Sequence, residues 1–194
     1  MGYTTYVSRL AVATALVVGG SYGAVVRAQG ETFTATASAK TKAGAQVTAP
    51  VTIVVTRPTS DTERDTVVAA LKSGGTAGAV KSLKAMADAG YIEVGKKKTP
   101  LKYAYARPTS GGRLLTVVTA APIAHLGAGL PDSQPKQGFD LAVAILELKD
   151  AGDGTGELAP AATVKVNDTG ALQVQDYGAE TVQLTKVQGQ KAKK

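Results

Sequence analysis

Thr32-Phe-Thr-Ala-Thr-Ala-Ser-Ala39 is the stretch from which the rest of the chain can be read. Phe33, Ala35, Ala37 and Ala39 fall on one side, and Thr32, Thr34, Thr36 and Ser38 on the other. Strict period two marks a half-buried strand, because successive side chains leave opposite faces of the backbone. Gly44 closes a turn, and Val47, Ala49, Val51, Ile53 and Val55 then share one face of a second strand. Pro50 within it argues for an edge or a bulge, since proline has no N–H to give a neighbour.

Towards the C-terminus the period changes. Ser60 followed by Glu63 is a capping box, and Asp61 and Asp65 suit the positive end of a helix. Val67, Val68 and Leu71 form its apolar stripe, and Gly74-Gly75 stops it. Thr76 is placed to cap a second helix, with the stripe Val80, Leu83 and Met86–Ala87 and an end at Gly90. From there the pattern is β throughout: Tyr91–Val94, Leu101–Ala106, Arg113–Ala120, Phe139–Lys149, Gly156–Val166, Leu172–Asp176 and Glu180–Val187, with turn residues between them. The reading is α+β over residues 29–187: a curved antiparallel sheet or partly open β-barrel of about eight or nine strands, with two short helices packed on it. Gln188–Lys194 reads as a disordered basic tail. Arg-Pro-Thr-Ser occurs at Arg57–Ser60 and again at Arg107–Ser110. The surroundings of the two copies differ, so shared strand-ending chemistry explains them better than a repeat.

Towards the N-terminus lies a leader. Arg9 is followed by the uncharged apolar run Leu10–Val18, the helix breakers Gly19-Gly20-Ser21, and Val26-Arg27-Ala28. This is the order of a secretory signal, with cleavage expected after Ala28. The apolar run is about half the length of a spanning helix, and the body after it offers no transmembrane segment. Without an Arg-Arg pair, the general secretion route is favoured over twin-arginine export. The chain is therefore expected to work outside the cytoplasm, as a periplasmic or extracellular protein.

The composition removes whole classes of chemistry. With no cysteine there are no disulfides, thiolate nucleophiles, Cys-ligated zinc sites or iron–sulfur clusters. Aromatics are 5% of the chain, so the core must be built largely from Ala, Val and Leu. The formal charge of +7 is unevenly placed. Arg9 and Arg27 belong to the leader, and six lysines cluster at Lys96-Lys97-Lys98 and Lys191, Lys193 and Lys194; without these the body is nearly neutral. No basic face interleaved with aromatics remains, so nucleic acid is not an expected partner.

His125 is the only histidine. A triad of Ser110, His125 and Asp140 lacks a nucleophile elbow, and Ser110 sits in a glycine turn. Asp150 and Asp153 resemble half of a calcium loop but lack its alternating ligands and closing glutamate. Gly127-Ala-Gly129 lacks the strand-to-helix context of a phosphate cradle. No catalytic residue, metal ligand or cofactor is assigned. The richest stretch is Leu101-Lys-Tyr-Ala-Tyr-Ala-Arg-Pro108. Tyr103, Tyr105 and Arg107, with Arg113 across the turn and His125 further on, form a candidate ligand or partner patch; ordinary packing of scarce aromatics is the competing explanation.

Tyr91-Ile92, Pro100–Ala104, Gly112–Thr119 running into Pro122-Ile123, Ile145–Leu148, Gly154-x-Gly156 and Tyr177-Gly leading to Val182-x-Leu184 and Val187 are similar to a family of exported bacterial proteins of unknown function. The resemblance covers about Tyr91–Val187 and implies export and a β-rich body. It carries no catalytic residue. The family has an aromatic, often tryptophan, after the Pro-Ile pair, and Ala124-His125-Leu126 departs from that. Together these readings predict a non-catalytic binding domain for an envelope protein or a small apolar ligand. One alternative is an envelope hydrolase or isomerase in which several of Asp140, Glu147, Glu157 and Tyr105 converge. Another is an assembly subunit whose Thr-rich first strand pairs between copies.

Overall fold

The alternating run becomes β1 (Glu31–Lys40), paired without interruption to β2 (Gln46–Val55) from Glu31↔Val55 to Lys40↔Gln46. In this computed structural model the described residues are 30–40, 46–123, 138–166, 172–176 and 182–191. After β2 come α1 (Asp61–Ala85), β3 (Gly90–Val94), β4 (Lys97–Thr109), β5 (Gly112–Thr119), β6 (Leu141–Lys149), β7 (Asp153–Val166), β8 (Leu172–Asp176) and β9 (Val182–Lys191).

All pairings are antiparallel, and the order β6-β5-β4-β3-β2-β1-β9-β7 returns on itself because β7 also pairs with β6. Among the described residues the result is a closed eight-stranded barrel with one helix, β8 pairing with β7 alone. This corrects the expectation of a curved sheet or partly open barrel with two helices: the barrel is closed, and the helical segment is a single kinked helix. The closing seam is β1 with β9, in register from Glu31↔Lys191 to Ser38↔Gln183. It joins the first and last of the described strands, a long-range pairing that no local pattern announces. The same seam takes in Gln188–Lys191, the first part of the segment expected as a disordered tail. Gln188 and Gln190 point outward there and Gly189 inward, so nothing apolar marks it as strand. β1 is paired on both sides, so it is not an edge available for pairing between copies.

Eight strands enclose a space just wide enough for side chains to fill. Phe33, Val51, Ile53, Ile92, Val94, Leu101, Leu115, Val117, Leu146, Leu148, Leu158 and Leu184 fill it, each almost fully buried. The glycines of one wall make room for the bulk of the others. A methyl group on Gly156 would lie 2.6 Å from Leu146 Cδ2, and one on Gly189 would lie 3.0 Å from the Phe33 ring. Three irregularities bend the walls: at Leu101/Tyr103 in β4, at Leu141/Val143 against β7, and in β9 opposite Thr34/Thr36. In β9 the extra residue is carried by Lys186, whose φ of 53 is the chain's one described non-glycine positive φ. Pro50 turns out to sit at a local edge: β3 begins pairing at Val51↔Val94, and beyond it the Pro50 carbonyl accepts from Gly95 N.

α1 begins with the expected capping box. Ser60 Oγ accepts from Glu63 N, and Glu63 Oε2 accepts from Ser60 N. Gly75 does not stop the helix but kinks it, with φ 59 and ψ −153, a conformation open essentially to glycine alone. Gly78 then lets the second half approach the first so closely that a methyl group there would lie 2.3 Å from the Ala70 carbonyl oxygen. The helix ends at Ala85, well before Gly90, which belongs to β3.

Thr76 does not cap a new helix. Its hydroxyl donates to Val164 O and accepts from Val164 N, both at 2.9 Å, which closes the open side of β7. Thr59 does the same for β4: its N–H donates to Ala104 O at 2.7 Å, and its Oγ1 accepts from Ala104 N at 2.8 Å. Two threonines thus tie α1 across the outside of the barrel. Leu71, Ala79, Val80 and Leu83 press there on Leu141, Val143, Ala159, Ala162 and Val164.

Candidate functional site

The residues first singled out are divided among three places. Tyr103 and Tyr105 point outward on either side of inward Ala104, with ring centroids 6.2 Å apart. Tyr103 is packed under the helix, and that burial pushes its hydroxyl above its ordinary range. Tyr105 accepts from Arg64 Nη1 at 2.6 Å and donates to Asp61 Oδ1 at 2.8 Å, with the Arg64 guanidinium 5.1 Å from its ring centre. Partial burial first, and the bond to Asp61 second, raise its pKa. Arg64 also bonds Asp65, which raises its own pKa. The Tyr105 hydroxyl thus fastens the first turn of α1 to β4.

Arg107 projects from the same outer face and is opposite Leu114. Arg113 does not join it. One residue along from Leu114, it points into the end of the barrel, where its Nη2 donates to Glu31 Oε1 at 2.9 Å over the Phe33 ring. β1 and β5 lie four strands apart in a ring of eight, so this ion pair spans the mouth. His125 and the proposed cleavage site at Ala28 lie outside the described residues.

A shallow, open groove lies elsewhere on the surface. On the outer wall the register aligns two rows, Leu114–Glu147–Thr155 and Ile145–Glu157–Gln183. Together they line a groove of about 280 Å³, floored by half-buried Leu114 and Ile145. Glu147 and Glu157 are diagonal neighbours across β6 and β7, an arrangement that puts Cβ atoms roughly 7 Å apart. Glu157 accepts from Gln183 Nε2 at 3.2 Å, and Glu147 has no hydrogen bond or ion pair among the described residues. Carboxylates over an apolar floor suit an amine carried on an aliphatic stem, with the stem on Leu114 and Ile145 and the charge at the glutamates.

Of the four residues named for an enzyme, Glu147 and Glu157 meet in this groove. Asp140 sits exposed before the opposite end of β6, and Tyr105 is engaged at the helix. Asp153, the second acid of the calcium-like turn, pairs with Lys149 at 3.2 Å. Among the described residues no three His, Cys, Asp or Glu side chains cluster closely enough to hold a metal, and no helix is long and apolar enough to cross a membrane. Leu114 and Ile145 carry no sequence signal because each alternates with core residues in a largely apolar run, and Gln183 carries none because it is an ordinary outward residue of an alternating strand. The available signal was Leu114-Leu115: in a period-two strand one of two adjacent leucines must face outward.

Comparison with protein-family models, with curated proteins and with solved structures finds no match to this chain.

Proposed function

We propose that this chain is an exported, non-catalytic binding domain of the bacterial cell envelope, and that it engages a partner at the groove over Leu114 and Ile145. One observation carries the reading: the barrel interior is filled by its own side chains, while the outer wall presents carboxylates beside half-buried apolar side chains. The filled interior favours a partner held outside over an apolar ligand enclosed within. The leader before Gln29 and the resemblance over Tyr91–Val187 support export.

Titration of the ¹⁵N-labelled protein with a lysine-rich peptide tests the site. Amide shifts should concentrate at Leu114, Ile145, Glu147, Glu157 and Gln183, and should vanish in Glu147→Gln/Glu157→Gln. Absent shifts, or shifts unchanged by the substitutions, would remove the groove as the site. N-terminal sequencing of protein from the host's envelope fraction tests export: the first residue should be Gln29, and intact Met1 in cytosolic protein would contradict it.

A further inference from the structure

We infer that the partner of the groove is a second copy of this chain, whose lysine turn enters it; this rests on the groove being the binding site. The turn between β3 and β4 has two residues, Gly95 with φ 63 and then Lys96, closing Val94↔Lys97. A glycine of positive φ followed by an ordinary residue makes a tight hairpin, so the tip is narrow. Lys98 is held back on the barrel, 3.6 Å from Glu93 and 4.4 Å from the Tyr91 ring centre. Lys96 and Lys97 are exposed and have no ion pair among the described residues. The tip therefore offers two unengaged ammonium groups on flexible apolar stems, and the groove offers two carboxylates over an apolar floor.

Geometry prevents a chain from filling its own groove. β3 starts at the barrel end marked by Glu31 and Val55, so the lysine turn lies at the other end. Leu114, Glu147 and Thr155 lie towards the Glu31 end, near the start of β5, the end of β6 and the start of β7. Both surfaces belong to one rigid barrel and face different ways. A contact between unlike surfaces of identical copies leaves each pair with one tip and one groove free, so it extends into a string or a ring of barrels instead of stopping at a dimer. Copies can approach, because outside the leader and the two lysine clusters the body is nearly neutral.

Charge reversal tests the pairing. Sedimentation of the purified protein over rising concentration should give a mean mass that climbs past that of a dimer. Lys96→Glu/Lys97→Glu, with tip and groove both acidic, and Glu147→Lys/Glu157→Lys, with both basic, should each weaken association at least about tenfold. An equimolar mixture should associate again, because each variant then meets its complement. A wild-type chain that stays monomeric, or a mixture that stays monomeric, overturns the inference. The peptide titration separates the two claims. If the lysine peptide binds while the chain remains monomeric, the groove stands and self-association falls; if neither occurs, both fall.

Discussion

The barrel interior makes a quantitative prediction through Phe33 and Gly189, which face each other across the seam between β1 and β9. Phe33 is 2% exposed and lies beneath the Arg113–Glu31 pair. Truncating a buried ring to alanine costs about 3–5 kcal/mol through lost transfer energy and the cavity left behind. Gly189→Ala acts in the opposite sense. Its methyl group would lie 3.0 and 3.2 Å from two Phe33 ring atoms and 3.2 Å from the Gly152 carbonyl oxygen. Overpacking of that kind costs about 1–3 kcal/mol. In the Phe33→Ala background two of the three close approaches disappear and the methyl group enters the cavity, so Gly189→Ala should then cost less than about 1 kcal/mol. The expected coupling, about 1–2 kcal/mol in favour of the double variant, is well outside the spread of independent sites. Urea unfolding of the four proteins, followed by far-ultraviolet circular dichroism, measures it. Additive costs would mean that the ring does not meet β9 and that the register of the seam is wrong.

The helix provides three more tests. Gly75→Ala forces a side chain into the kink conformation and should cost about 1–3 kcal/mol, whereas Gly74→Ala, where a methyl group meets nothing within 4 Å, should cost less than half as much; equal melting temperatures would refute the kink. Thr76→Val keeps the shape and removes both bonds to Val164, leaving a strand N–H and C=O without their partner. A loss of about 1–3 kcal/mol, with faster hydrogen exchange at Val164, is expected, and unchanged exchange there would contradict the tie. The Ser60 N–H bond, and after it Arg57, hold the Glu63 carboxyl below its ordinary range. Its contribution is therefore present above the unfolded-state pKa and lost as pH falls through the lower folded-state value. Glu63→Gln should cost about 0.5–1 kcal/mol near neutrality. That difference should disappear under strongly acidic conditions, and one that persists or grows in acid would show that the charge is not responsible.

Much of this fold is local and therefore readable. Period two in Thr32–Ala39 and in the β2 run set the inward faces of β1 and β2, and Ser60 with Glu63 set the start of α1. Gly74-Gly75 reads as a stop because glycine ends helices more often than it bends them; in the structure the packing of Gly78 on Ala70 and the Thr76–Val164 bonds carry the chain through. Closure was not readable, since it depends on β9 meeting a strand at the far end of the sequence. The site followed the same division. The scarce tyrosines and arginines drew attention, yet Tyr105 is consumed by Arg64 and Asp61, and Arg113 by Glu31. The groove instead comes from Leu114, Ile145 and Gln183, residues of ordinary type that only strand register brings beside Glu147 and Glu157.

Closure of the barrel at β1 and β9 underlies the filled interior and the placing of any site on the outer wall. The chain contains no cysteine, so a cysteine pair reports on one distance alone. Thr36 and Thr185 face each other across the seam, whereas Thr116 lies on β5 in the opposite wall. Mild oxidation of folded Thr36→Cys/Thr185→Cys should give an intramolecular disulfide in nearly every molecule, and Thr36→Cys/Thr116→Cys should give none. A Thr36/Thr185 pair that stays reduced in the folded protein while denatured chains cross-link would contradict the closed barrel.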